Sequence, residues 1–151
     1  MNREIQVTFD AHDPQTLSIF WRDVLGYVHP GPPGIELPAG ADPLAAWDDF
    51  LTRAGVPEAE RNSRSAVEDP DGDGARLFFQ RVPEDKVAKN RVHLDVRVAG
   101  PEVRGEERAR LVEEQVARLA QEGASIAWRE SDIRGSSVIM RDPEGNEFCV
   151  A

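Results

Sequence analysis

Cys149 is the only cysteine in the chain. No disulfide can form within it, and nothing implies an oxidising compartment. Positive charge is also scarce: 18 Lys and Arg stand against 28 Asp and Glu, a formal net charge of −10 over 151 residues. A phosphate backbone or an anionic bilayer needs a basic face, so neither nucleic acid nor membrane is an expected partner. No apolar run approaches the ~18 residues of a spanning helix. Met1-Asn2-Arg3-Glu4 leads straight into an alternating segment. No secretory leader is therefore expected, and the cytoplasm is the expected compartment. A Gly-rich phosphate loop, a Cys-x-x-Cys pair, a His-Glu-x-x-His helix and a Ser-His-Asp order are all missing. Asp69, Asp71, Asp73 and Gly74 imitate the start of a calcium loop. Pro70 interrupts it and Gln80 stands where Glu is needed, so a turn is the better reading.

What is present is a globular composition, 40% hydrophobic and 30% charged, long enough for one domain or two small fused halves. Residues 5–10 alternate apolar and polar, as a half-buried strand does. Asp13-Pro14 is a helix start; Leu17, Phe20, Trp21, Val24 and Leu25 follow at helical spacing, and Gly26 stops them. Residues 29–40 are dense in Pro and Gly and read as a loop or irregular edge strand, with Ile35 and Leu37 as its candidate buried residues. Asp42-Pro43 opens a second helix carrying Leu44, Trp47, Phe50 and Leu51 and ending at Gly55, and residues 56–64 read as loop. A strand is expected at 77–82 and the cleanest strand of all at 92–98. A helix over 102–122, with Leu111, Val112, Val116 and Leu119 inward, precedes short strands at 125–128, 137–140 and 147–150.

The order is duplicated. Each half runs strand, helix, strands, and each has an Asp-Pro-acidic-Gly turn before its last strand, at Asp69 and at Asp142. Val7-Thr8-Phe9-Asp10 matches Val92-His93-Leu94-Asp95. Repetition of this kind indicates two copies of one supersecondary unit. The expected modules are 1–85 and 90–151 of a single domain over 1–151, and the first carries an insertion.

With helices on one side of a curved sheet, the other side would show Gln6, Thr8, Asp10, His93, Asp95, Arg97, Glu147 and Cys149. At the strand from Leu77 the parity is open, so either Phe79 or Gln80 faces in. A cup with a few polar groups among apolar ones is a usual small-molecule site. Trp47 and Phe50 could cover it and stack on a flat ligand, or simply pack the inserted helix onto the sheet. Trp128 and Met140 could line its second half, although Met140 equally suits the core. Trp21 reads as core, and His12 and His29 as surface residues. His93 reads as lining, with a plain hydrogen bond to Asp95 or to a neighbouring strand as the alternative. Asp95 and Arg97 could clamp a polar ligand, or pair with each other or with Asp10 and Gln6 across the cup. Cys149 reads as a small lining residue rather than a nucleophile, since an acidic chain does not favour a low thiol pKa.

Asp13-Pro14 through Phe20-Trp21 to Leu25-Gly26, then Asn90-Arg91-Val92-His93-Leu94-Asp95, then Asp142-Pro143-Glu144-Gly145-Asn146-Glu147-Phe148, taken in this order, resemble the vicinal oxygen chelate superfamily. That superfamily holds glyoxalases, bleomycin-resistance proteins and extradiol dioxygenases. The resemblance implies an α+β fold of two pseudo-symmetric β-α-β-β-β modules, a cupped mixed sheet and helices outside. It also implies a homodimer. Catalytic relatives hold a divalent metal at positions that fall here on Gln6, His93 and Cys149, with the fourth near Phe79 or Gln80. That set has no carboxylate and suits no hard-oxygen metal. The expected function is therefore small-molecule binding in the concave sheet, with no cofactor favoured. The alternative is a metal-dependent lyase, isomerase or dioxygenase with Gln6, His93 and Cys149 or Glu147 at the metal. A metal-free enzyme with His93 or Asp95 as base, and a purely structural role, are the remaining readings. The ligand pocket expected is Gln6, Thr8, Trp47, Phe50, Phe79, His93, Asp95, Arg97, Met140 and Cys149; no catalytic residue is assigned.

Overall fold

The computed structural model of the chain describes residues 3–132 and 135–151. They form two units, Met1–Glu84 and Asp85–Ala151.

In the first unit, β1 (Gln6–Ala11) leads into α1 (Pro14–Leu25). Asp13 caps the helix by accepting from the Thr16 amide at 3.0 Å, and Gly26 ends it at φ 69°, a left-handed value that suits glycine. The insertion folds as α2 (Pro43–Arg53) and the single turn α3 (Glu58–Arg61). Asn62, just after α3, donates to Asp13 (2.7 Å) and accepts from the Gln15 amide (2.9 Å), so the insertion is pinned to the start of α1. The strands β2 (Arg64–Val67) and β3 (Arg76–Arg81) complete a sheet of order β1-β3-β2. β1 runs parallel to β3 and β2 antiparallel to it, and Val28 bridges to Glu68 at the far side of β2.

α1 buries Leu17, Phe20, Trp21 and Val24. They meet the sheet face bearing Phe9, Leu77 and Phe79; the Phe9 ring lies 5.2 Å from Trp21 and 5.3 Å from Phe79. Each large side chain buried there contributes about 1.5–3 kcal/mol. Asp13→Ala removes both the cap and the Asn62 anchor. It is expected to lower stability by about 1–2 kcal/mol in a urea titration.

The second unit repeats the pairing. β4 (Asp95–Val96), α4 (Gly105–Gln121), β5 (Ser125–Asp132), β6 (Gly135–Arg141) and β7 (Glu147–Val150) give the order β4-β7-β6-β5. Its first strand again runs parallel to its last, and its last antiparallel to the one before. The α+β fold with a repeated β-α-β-β-β order is thus as the sequence indicates, the Val28 bridge standing in the first unit where β5 stands in the second. The Asp142 carboxylate accepts from the Glu144 and Asn146 amides, and Gly145 takes φ 87°, which is why that turn reads Asp-Pro-Glu-Gly-Asn. The Asp69 turn is built alike: its carboxylate accepts from the Asp71 and Gly74 amides.

Several expectations need correction. The strand expected at 92–98 is shorter: β4 covers Asp95–Val96, and its backbone pairing runs from the Leu94 carbonyl, which accepts from the Cys149 amide at 2.9 Å, to the Val98 amide, which donates to Ala151 at 2.9 Å; Val92 lies outside it and is 81% exposed. Its alternation is nevertheless real: Leu94, Val96 and Val98 turn inward and His93, Asp95 and Arg97 outward. The stretch read as loop at 56–64 holds α3 and the first residue of β2. Ile35 is exposed and Leu37 half-buried, and the buried residues of that stretch are His29 and Pro32. The helix expected from residue 102 begins at Gly105, and β5 runs on to Asp132.

Candidate functional site

Register decides which side chains share a face. Residues paired directly across strands point the same way. Gln6 pairs with Arg76, Thr8 with Phe78 and Asp10 with Gln80, while Arg64 and Ala66 on β2 pair with Gln80 and Phe78. These therefore lie together on the face turned away from α1. Phe79 lies on the opposite face and is fully buried against α1, so the position expected to line a pocket is core, and Phe78 takes its place.

A cavity of about 500 Å³ opens on this face. Phe78, Ala66, Arg64 and Arg76 line it from the sheet, and Leu44, Trp47 and Leu51 line it from α2. α2 explains it: its apolar stripe faces inward, yet none of its residues is fully buried, because the stripe stands over space rather than over packed side chains. The Trp47 indole N–H donates to the Pro30 carbonyl at 2.8 Å, which fixes the ring. Phe50 packs edge-on against it at 5.6 Å and supports it.

His29 and Ser65 form one end of the cavity. The Ser18 hydroxyl donates to the Gln15 carbonyl at 2.8 Å, and lies 2.9 Å from His29 Nε2 and 2.7 Å from Ser65 Oγ. Ser18 thus joins His29 and Ser65 in one buried hydrogen-bonded cluster. Burial, then Arg22, holds His29 below the ordinary histidine value. It is a buried, neutral histidine and not a surface one. Sequence spacing could not reveal this, since Ser65 comes to it from a distant strand.

In the second unit, His93, Asp95 and Arg97 are exposed on β4. His93 Nε2 lies 3.3 Å from Asp95, so Asp95 pairs with the histidine rather than with Arg97. Cys149 pairs with Asp95 in register and is buried. Burial pushes its thiol up, and a hydrogen bond with Ser137 offsets this only in part. Met140 is fully buried and shares a face with Val138 across from Phe148 and Val150, the face that α4 covers; it is core, not lining. A second cavity of about 450 Å³ is walled by Lys86, Lys89, Trp128, Arg141 and Glu147. Glu147 is occupied there: it accepts from Lys86 (2.9 Å) and from the Asn90 amide (2.9 Å). Lys89 sits over the Trp128 ring at 5.5 Å.

The glyoxalase-like domain family model matches residues 6–151. The chain belongs to the glyoxalase-like family. No curated protein matches it by sequence. Solved structures share its fold. A glyoxalase/bleomycin resistance protein/dioxygenase family enzyme from Burkholderia phytofirmans has 12% identity and a TM-score of 0.59, over 96% of this chain and 94% of that one. A mutant of the fosfomycin resistance protein FosX from Listeria monocytogenes, complexed with manganese(II) and 1S,2S-dihydroxypropylphosphonic acid, has 9% identity and a TM-score of 0.60, over 99% and 91%. The bleomycin-binding protein of Streptomyces verticillus, complexed with copper(II)-bleomycin, has 18% identity and a TM-score of 0.51, over 100% and 96%.

The residues of this glyoxalase-like chain do not fit a metal at the positions the resemblance implies. The Gln6 side-chain carbonyl accepts from the Arg76 guanidinium, a cation where a second cation would have to bind. Cys149 offers a soft sulfur donor to a set without a carboxylate, which suits no hard-oxygen metal. Glu147, the carboxylate alternative, is held by Lys86. Among the described residues, no three His, Cys, Asp or Glu side chains form a metal-holding group. Nor is any described helix long and apolar enough to cross a membrane.

Proposed function

We propose that the chain binds a small organic molecule in the cavity of its first unit, with no metal at the family's ligand positions. The observation that carries this reading is the space between α2 and the β2–β3 face, walled by Trp47 and Phe78. A ring entering it would cover the half-exposed stripe of α2 and both aromatic faces at once, which is a strong apolar reward for a small body. Trp47 is held by its own hydrogen bond and by Phe50, so little ordering is needed on binding. Proteins of this fold complexed with bleomycin or with a phosphonic acid support the reading, in that the scaffold accommodates small-molecule sites. A lyase, isomerase or dioxygenase working through a metal finds no support in the donor set.

The test is saturation-transfer NMR with indole and naphthalene fragments on the wild-type chain and on Leu51→Trp. Leu51 is half-buried on α2, so a larger ring there fills the cavity without entering the core. Fragments are expected to bind the wild type and to lose their signal in the variant. No binding to the wild type, or equal binding to both, overturns the proposal.

A further inference from the structure

We infer that the ligand of this cavity is a planar aromatic molecule carrying a single carboxylate, an inference that rests on the binding proposed above. The chain as a whole carries a net charge of −10, yet the cavity walls bear three guanidiniums, Arg61, Arg64 and Arg76, against one carboxylate, Glu60. An acidic protein that gathers cations at one concave site favours an anion there. Glu60 does not cancel the field, because it is paired with Arg81 at 3.1 Å.

The three arginines are not equally free. Arg61 donates to the Val56 carbonyl at 3.1 Å and lies 3.5 Å from Asp48. Arg76 is held by the Gln6 carbonyl, lies 3.9 Å from Glu68 and rests over the Phe78 ring at 5.6 Å. The Arg64 guanidinium has no hydrogen bond or ion pair among the described residues, its backbone alone being paired, with Gln80. Arg64 and Arg76 stand on opposite sides of Phe78, four positions apart in register, so one uncommitted guanidinium, Arg64, matches one negative charge rather than a dianion. The planar fork of arginine matches the two oxygens of a carboxylate. Phe78 on the sheet and Trp47 on α2 then supply the apolar walls for the rest of the molecule. Arg64 and Arg76 both lie on the β2–β3 face that carries Phe78, so head group and ring contacts come from one surface.

The experiment is calorimetry at low salt with matched pairs of probes: 2-naphthoate against 2-naphthamide, and biphenyl-4-carboxylate against its primary amide. Each pair differs in charge and hardly in shape. The acids are expected to bind on the order of tenfold tighter than the amides. Arg64→Gln should remove most of that preference and leave the amides unchanged. Arg53→Gln, on the exposed part of α2 outside the cavity, should alter neither. Amides that bind as well as the acids, or a preference that survives in the Arg64→Gln, Arg76→Gln double variant, overturn the charge inference while the cavity reading stands. If neither member of either pair binds, both fall together.

Discussion

Phe79→Ala is expected to cost about 3–5 kcal/mol of stability, while Phe78→Ala, one residue away, is expected to cost about 1 kcal/mol and to abolish aromatic binding. Phe79 is fully buried between Phe9 and the α1 face that carries Trp21, so its removal leaves a cavity that a close-packed core cannot collapse into. Most domains have only about 5–15 kcal/mol in hand, so this one change consumes a large share. Phe78 is half-buried and looks onto space already open, so truncating it enlarges a cavity rather than creating one. Urea titrations followed by tryptophan fluorescence, beside fragment binding by NMR, separate the two effects. The reverse ordering would mean that β3 is registered the other way up.

That register marks where the sequence stops being legible. The repeated caps, the two Asp-Pro-acidic-Gly turns and the α1 spacing are local signals, and they specify the repeated fold because each is satisfied within a few residues of itself. Leu77-Phe78-Phe79 is three apolar residues in a row, so alternation cannot say which ring faces the helix; only pairing with β1, some seventy positions earlier, decides it. Ser137-Val138-Ile139-Met140 hid Met140 in the same way. β2 is not legible because Arg64-Ser65-Ala66-Val67 has too little apolar content to look like a strand, and its pairing to β3 supplies what its composition lacks. Trp47 could be anticipated, since Leu44, Trp47 and Leu51 form a stripe too wide for a polar surface helix. The arginines around it could not, because Arg61, Arg64 and Arg76 come from three elements and meet only through the fold.

The second large effect concerns Glu147, which the family resemblance offers as an alternative to Cys149 at a metal and which the structure makes a partner of Lys86. Glu147→Ala is expected to cost about 2–4 kcal/mol, since it strands the Lys86 ammonium and the Asn90 amide; the figure sits below that of a fully enclosed pair because Lys86 reaches solvent. Burial alone would push the Glu147 carboxyl up. The Asn90 N–H and the Lys86 ammonium outweigh it and hold it at about 2, below an ordinary value of 4.5. The folded state therefore binds the proton less readily than the unfolded chain does. The stabilisation from this carboxylate is complete above the unfolded value and is lost as pH falls from 4.5 towards 2. Urea midpoints between pH 6 and pH 2.5 should fall steeply through that window for the wild type. Glu147→Gln keeps an acceptor for Asn90 but no charge for Lys86; it should start lower and fall less. Equal slopes would mean that the pair does not form in solution and that the carboxylate is free for another cation. A shallower slope in the variant ties Glu147 to Lys86 and takes that carboxylate out of the set of free cation ligands.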